Sequence, residues 1–344
     1  MNYSFPKLLE TLAGGRGLVL ATIVEAAGST PQVPGASAIF GAAGLVAGTV
    51  GGGLLEARVE AIAGEARRDG RARLVEIRLD ADPSDAEGAI CGGAATVLVD
   101  PGVDAARGVF QSALGGLRGR RTGALVCRIV EGHGEHITVE RGWIPADGPI
   151  GGDVAPEILR GVLEGGTPRL ARTEGRLTYV EPVVPLPRLI VAGAGHVGRA
   201  VARLGRLLDF SVTVIDDRAE FANAENIPEA DEIVVGAIGT EMGRIDVPDG
   251  YFVIVTRGHA KDAEALRAVV RRQAAYLGMI GSRTKIEIMR REFLEKGWAT
   301  AEEWARVRAP IGLGIGSKTV EEIAISIAAE LVQVRAGRRK KADA

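Results

Sequence analysis

Thiols are nearly absent from this chain: among 344 residues there are two cysteines, Cys91 and Cys127. Two cannot build a disulfide framework or a four-thiolate metal site, and such sparing use points to a reducing compartment where both stay free. Long apolar runs are missing as well. No stretch reaches the roughly 18 uninterrupted apolar residues of a membrane span, and the opening MNYSFPKLLETLAGG has no basic flank leading into an apolar core. The expectation is a cytoplasmic protein that engages no membrane. Net charge is close to balance, −2 at pH 7, which removes the electrostatic basis for nucleic-acid binding. The only long run of one sign, in RAGRRKKADA, is expected to form a solvated basic tail over residues 336–344.

What is present suffices for two domains, each able to bury its own core. Residues 1–141 carry short strand-like runs, GLVLATIVEA, ASAIFG, LVAGTV, RLVEIRL and ATVLVD, around one helical stretch at about 54–68; this predicts an α+β domain. Residues 142–187 are rich in proline and glycine and are expected to be a loosely structured connection. Over 188–335 apolar strand runs alternate with amphipathic helical stretches. LIVAGA leads into HVGRAVARLGRLL, YFVIVTRG into KDAEALRAVVRRQ, and AYLGMIG into SRTKIEIMRREFLEK, while SVTVIDD and DEIVVGA lead into loops. That alternation predicts a Rossmann-like α/β domain, a parallel sheet with helices on its faces.

The first strand-to-helix turn of that domain reads LIVAGAGHVGRA and places Gly193, Gly195 and Gly198 in the pattern GxGxxG, with Asp216 closing the next strand about 20 residues on. In this context the pattern is a dinucleotide-binding fingerprint. Gly193 makes the tight turn, Gly195 lets a pyrophosphate approach the backbone, and Gly198 lets the helix pack on the sheet. Asp216 suits the ribose hydroxyls of NAD, whereas Arg218 suits the 2′-phosphate of NADP; a site reused for another phosphorylated ligand is the third reading.

Histidine is scarce too, and two of the four fall at strand ends of the parallel domain, His196 in GAGHVG and His259 in TRGHAKD. In a Rossmann order the first and fourth strands are neighbours, so both loops open at the carboxyl edge where ligands bind. His259 with Asp262, and His196, are candidate functional-site residues; the alternative roles are that His196 only starts its helix and that Asp262 only helps to cap the next one. His133 and His136, in EGHGEHITVE, read as exposed loop and strand residues.

The N-terminal domain has its own glycine signal. Gly51, Gly52 and Gly53 lie between a strand and a helix, which permits close backbone approach and leaves helix N-terminal amides for an anion. Glu56 in the first helical turn either complements the dipole or meets a polar edge of a ligand. Ser29 and Thr30, in AAGSTPQVPGA, offer hydroxyls. Cys91 sits in EGAICGGAATV ahead of Gly92 and Gly93, whereas Cys127 lies inside ALVCRIV and reads as strand core. Together these features fit a site for an anionic, sulfur- or metal-containing ligand.

The motifs GSTPQVPGA, VGGGLLEA, GAICGGAATVLVDP, PRLIVAGAGHVGRA, VTRGHAKDAEAL, YLGMIGSRTK and APIGLGIGSKTVEEIAISIAAEL span nearly the whole chain. In this order they resemble the XdhC/CoxI family, the accessory proteins of xanthine dehydrogenase and related molybdenum hydroxylases. The resemblance implies a non-catalytic maturation factor that binds molybdenum cofactor (molybdopterin), supports its sulfuration and passes it to an apo molybdenum hydroxylase. A sulfur-donating cysteine desulfurase is the further partner, and a homo-oligomer, a dimer, is expected. It also implies functional positions at Cys91 with Gly92 and Gly93, at Gly51, Gly52 and Gly53 with Glu56, at Gly193, Gly195 and Gly198, and at His259 with Asp262; Cys91 is the candidate molybdenum ligand. The sequence departs from many relatives at Leu54, where they carry cysteine, at Arg257, where they carry histidine, and at Gly314, where they carry aspartate. An NAD(P)-dependent oxidoreductase using the Rossmann half, with His259 as acid or base, is the competing function.

Overall fold

The computed structural model describes residues 5–79, 92–131, 137–148, 154–173 and 176–342. The chain divides into two units, one ending at Pro185 and one beginning at Leu186.

In the first unit, α1 (Phe5–Gly14), β1 (Val19–Ala27), β2 (Ser37–Gly41), β3 (Gly44–Gly48), α2 (Gly53–Asp69), β4 (Arg73–Arg78) and β5 (Ala94–Asp100) come first. Then follow α3 (Arg107–Arg118), β6 (Gly123–Glu131), β7 (Ile137–Pro145), α4 (Pro156–Gly165), β8 (Arg169–Thr173) and β9 (Arg176–Val183). They form an antiparallel sheet in the order β3-β2-β1-β5-β4 and a second in the order β7-β6-β9-β8.

The central strand β1 is buried on both faces, and its period of two sorts the core. Val19, Ala21 and Ile23 pack with Leu55, Val59, Ala63 and Ala66 of α2, a spacing that keeps one face of that helix against the sheet. Leu20, on the opposite face, joins Leu8 and Leu9 of α1, Phe110 of α3, and Leu125 and Val183 of the second sheet. Val24 and Leu98 meet Cys127, Ile129 and Tyr179. Alternate residues of β6 and β9, Ala124, Val126 and Val180, turn to α4.

These elements correct one expectation. Much of residues 142–187 is not a loose connection: it supplies α4, β8 and β9 to the first unit. Proline density hid them, yet Pro156 stands in the first turn of α4, where its missing N–H costs nothing. Pro182 lies near the end of β9.

The second unit contains β10 (Arg188–Ala192), α5 (His196–Leu207), β11 (Ser211–Asp216), β12 (Glu232–Val235), α6 (Ile238–Arg244) and β13 (Gly250–Ile254). It continues with α7 (His259–Val269), β14 (Ala274–Met279), α8 (Arg283–Glu295), α9 (Ala301–Ala305) and α10 (Val320–Ala342). Its five strands are parallel in the order β12-β11-β10-β13-β14, the Rossmann-like arrangement that the alternation predicts. Leu189, Val191, Val212 and Val253 face a core shared with α5 and α10. Ile190, Phe252 and Ile254 face one shared with α6, α7 and α8.

Two local expectations change. The segment after DEIVVGA is helical, as α6, and the basic C-terminal run continues α10 to Ala342 instead of leaving as a tail. Alanine, arginine and lysine favour helix, and Arg335 and Arg338 are anchored on the Leu208 carbonyl and on Asp249. Among the described residues no helix is long and apolar enough to cross a membrane.

Candidate functional site

In the parallel unit the fingerprint glycines play three different roles. Gly193 has φ 112°, and a Cβ there would stand 2.6 Å from the Val255 carbonyl oxygen. At Gly198 a Cβ would stand 1.8 Å from the Gly193 carbonyl oxygen, so this glycine is what allows α5 to close on the turn. Gly195, the N-cap of α5, has φ −71°, and a Cβ there would meet nothing within 4 Å. Two of the glycines are therefore required by the fold; only Gly195 looks out on open space.

Asp216 ends β11 with 1% of its surface exposed. One carboxylate oxygen accepts the Ala194 N–H of the glycine turn at 2.7 Å and an Arg218 guanidinium N–H at 2.9 Å. The other accepts the Arg218 backbone N–H and Nε at 3.0 and 2.9 Å. Arg218 lies over the Phe221 ring, 4.2 Å from its centroid. Burial pushes the Asp216 carboxyl up, but Arg218 and the two amides outweigh it and hold the group below its ordinary value. A carboxyl depressed in the folded state stabilises it above the unfolded value of 3.8 and loses that contribution as pH falls through the lower folded value. We expect Asp216→Asn to lower urea stability at neutral pH and to flatten its decline between about pH 4 and pH 2. A decline as steep as wild type's would refute the assignment.

His196 and His259 begin the helices that follow the neighbouring strands β10 and β13, so both stand at the carboxyl edge beside the switch point. His196 is exposed and makes no side-chain hydrogen bond among the described residues. The His259 ring Nε2 lies 3.2 Å from Glu292 of α8, and Lys296 and His259 hold that carboxylate below its ordinary value. Asp262 is fully buried. It accepts the Thr256 hydroxyl and N–H at 2.5 and 3.2 Å and pairs with Lys285 of α8. Burial pushes its carboxyl up, with Lys285 and Thr256 pulling the other way. Asp262 thus ties the β13 loop to α8 and does not touch His259's partner. Lys261, between them, pairs with Asp217 just beyond β11.

In the first unit three glycine-bearing segments meet. Gly51, Gly52 and Gly53 have φ 127°, 70° and 55°, backbone that side chains rarely adopt. A Cβ on Gly51 would stand 2.8 Å from Pro31, and one on Gly93 would stand 2.3 Å from the Ser29 carbonyl oxygen. Gly28 packs on Gly92 and Gly93, and Ser29 bridges Gly92 in parallel pairing. The 28–32 loop therefore touches both other segments, while Gly52, Gly53 and Gly92 face space with nothing within 4 Å of an added Cβ. Glu56 accepts the Thr49 hydroxyl at 2.6 Å and the Val50 N–H at 3.2 Å, so its carboxylate fastens the turn into α2. Cys91, bonded to Gly92, lies outside the described residues, as does the metal assignment resting on it; so do His133 and His136. Cys127 is 3% exposed and burial pushes its thiol up, as expected of strand core. Among the described residues no group of three or more His, Cys, Asp or Glu is arranged to hold a metal.

Sequence reasoning missed Lys285, Thr256 and a buried polar cluster between the sheets of the first unit. There Arg141 of β7 donates from Nε and Nη2 to one oxygen of Asp100 of β5, at 3.0 and 2.9 Å.

A five-stranded parallel sheet with a glycine fingerprint, in one chain with an antiparallel unit that gathers glycine turns, defines a two-unit α/β protein with a Rossmann-like half. Residues 189–331 match the model of the XdhC Rossmann domain and residues 11–78 that of the XdhC and CoxI family; the chain belongs to the XdhC and CoxI family. It is 28% identical over 318 residues to a protein of Escherichia coli (strain K12) named uncharacterized protein YqeB, a match covering 92% of this chain and 43% of that one. The chain thus spans less than half the length of that relative. It is 27% identical over 328 residues to a protein of Bacillus subtilis (strain 168) named as a probable xanthine dehydrogenase subunit, covering 92% and 93% of the two chains. The crystal structure of a xanthine dehydrogenase from Bacillus halodurans matches with a TM-score of 0.81 at 26% identity, covering 98% of this chain and 97% of that one.

Proposed function

We propose that this chain is a maturation factor for a molybdenum hydroxylase of the xanthine dehydrogenase type. It binds molybdenum cofactor, holds it while the terminal sulfido ligand is installed by a sulfur donor such as a cysteine desulfurase, and hands it to the apo-enzyme. The observation that carries the reading is the meeting of segments 28–32, 51–53 and 92–93, the last of which follows Cys91 in the sequence. The names of the two Bacillus relatives support the class of client.

The residues suit the group. Molybdenum cofactor carries a phosphate and a dithiolene-held metal, and so calls for approachable amides and a soft donor. At Gly52, Gly53 and Gly92 the backbone faces space that any side chain would fill, and Gly52 caps α2, whose first N–H groups have no partner inside the helix. These amides would hold the phosphate, with Glu56 positioning their turn, and the Cys91 thiolate would be the soft donor for the metal. When bound, the cofactor supplies the molybdenum centre that accepts sulfur; the chain supplies binding, orientation and a thiol.

Cys91→Ala is expected to fold as wild type does and to lower cofactor retention about tenfold or more, read as molybdenum content and oxidised-pterin fluorescence after gel filtration. Cys127→Ala should cost roughly 1–2 kcal/mol of stability and leave retention unchanged. Retention by Cys91→Ala equal to wild type would remove the thiol from the function.

For the parallel half we propose a phosphate-bearing nucleotide, NAD(P) or another, at the Gly195 turn. An NAD(P)-dependent oxidoreductase fits less well, because the Asp216 carboxylate is engaged by Arg218 and the His259 ring by Glu292.

A further inference from the structure

In a dinucleotide fold the acid that ends the second strand accepts ribose hydroxyls, and in the parallel unit that acid is Asp216, at the end of β11. A carboxylate offers about four lone-pair positions on its two oxygens. In Asp216 all of them are taken from within the chain. Oδ2 accepts the Ala194 N–H at 2.7 Å and an Arg218 Nη2–H at 2.9 Å, and Oδ1 accepts the Arg218 backbone N–H at 3.0 Å and its Nε–H at 2.9 Å. Only 1% of the residue is exposed. The guanidinium that closes it off is braced by the Phe221 ring, with its carbon 4.2 Å from the ring centroid. A ribose hydroxyl would have to displace this charged, two-pronged donor, and a single neutral donor does not match it.

The surroundings of Arg218 do not favour a 2′-phosphate either. Asp217 Oδ1 lies 3.9 Å from the Arg218 Nε, the Glu220 carboxylate acts on the same guanidinium, and Asp217 pairs with Lys261. Three carboxylates thus stand against two cations at the end of β11, a balance that repels a further anion. The phosphate end of the fingerprint is intact by contrast: Gly195 looks out on open space, and the first N–H groups of α5 have no partner inside the helix. We propose that the parallel unit reads its nucleotide by phosphate alone, indifferent to the ribose 2′ position, and that Arg218 is the specificity residue that withdraws Asp216 from recognition. This rests on the nucleotide reading of that unit and narrows it: the ligand is a phosphate ester whose 2′ substituent, hydroxyl, hydrogen or phosphate, goes unread.

Calorimetry on the full chain tests this with two pairs of probes, ATP against 2′-deoxy-ATP and NAD against NADP. Within each pair the dissociation constants for wild type should agree within about threefold. Arg218→Ala uncovers the Asp216 carboxylate, so ATP should then bind about tenfold more tightly than 2′-deoxy-ATP, through a hydrogen bond to a charged acceptor. Arg218→Met, which keeps an apolar stem over the Phe221 ring, should gain the same preference and decides if the alanine variant fails to fold. A wild-type preference of about tenfold for ATP over 2′-deoxy-ATP would overturn the inference, because a hydroxyl is then being read. A similar preference for NADP over NAD would overturn it by making Arg218 a phosphate ligand, and so would folded Arg218 variants that still ignore the 2′ position. Each of these results leaves the nucleotide reading standing, whereas no heat from any of the four probes removes that reading and this inference with it.

Discussion

Asp100→Ala should destabilise the first unit by about 3–5 kcal/mol, the cost of leaving one member of a buried ion pair alone. The two side chains are 9% and 4% exposed, for Arg141 and Asp100. Both donors of Arg141 converge on one carboxylate oxygen, while the other oxygen accepts the Gly102 N–H at 2.7 Å. Removing the carboxylate strands a guanidinium between two sheets, with the Phe110 ring 5.7 Å from its carbon and the Glu181 carboxyl acting on it without a hydrogen bond. Exposed pairs of the same chain, such as Arg172 with Glu25, should by contrast be worth less than about 1 kcal/mol.

The sharper test is the double variant Asp100→Leu with Arg141→Met. Replacing both charges with apolar side chains of similar size removes the desolvation cost along with the attraction, so the double variant should recover most of what either single one loses. Urea unfolding of the four proteins measures this. A loss below about 1 kcal/mol in Asp100→Ala would mean that water reaches Arg141 and that the pair is not closed off.

That pair also marks where sequence reading stops. Arg141 and Asp100 belong to different sheets, and nothing in the neighbourhood of either announces the other. The same holds for Asp262 and Lys285, brought together because α7 and α8 follow strands that are paired in the sheet. What was legible was local. Apolar runs such as LIVAGA and YFVIV are strands buried on both faces, each followed by an amphipathic helix, and so the parallel unit could be read from periodicity. The glycines could be read because a positive φ or a close contact leaves a residue-type signature at one position. The second antiparallel sheet was hidden for the opposite reason. Its outer strand β8 has no buried residue, so it lacks alternation, and the prolines around α4 and β9 resemble those of a linker. Asp216 was found as a strand-end acid, but Arg218, two positions on, turned out to hold it; proximity in sequence left both readings open and only the side-chain geometry separates them.

The glycine fingerprint yields the other large effect, because its members should fail in opposite ways. Gly198→Ala places a methyl 1.8 Å from the Gly193 carbonyl oxygen, a backbone atom that cannot swing aside. Either α5 shifts off the sheet or the β10–α5 turn opens, and the loss should be about 3 kcal/mol or more. Gly195→Val meets no atom within 4 Å and keeps a φ that any residue adopts. Its cost should therefore be about 1 kcal/mol, the difference between glycine and a β-branched residue at an N-cap. Yet its side chain projects into the space through which a phosphate would approach the first turn of α5, so it should abolish nucleotide binding in a well-folded protein. Thermal unfolding, with calorimetry against NAD, NADP and ATP, separates the two. Gly198→Ala as stable as wild type would contradict the packing of α5, and wild type giving no heat with any of the three at millimolar concentration would remove the nucleotide from the parallel half. If wild type binds and Gly195→Val binds equally well, the ligand does not approach through this turn, and the open space in front of Gly195 is only the way a helix begins.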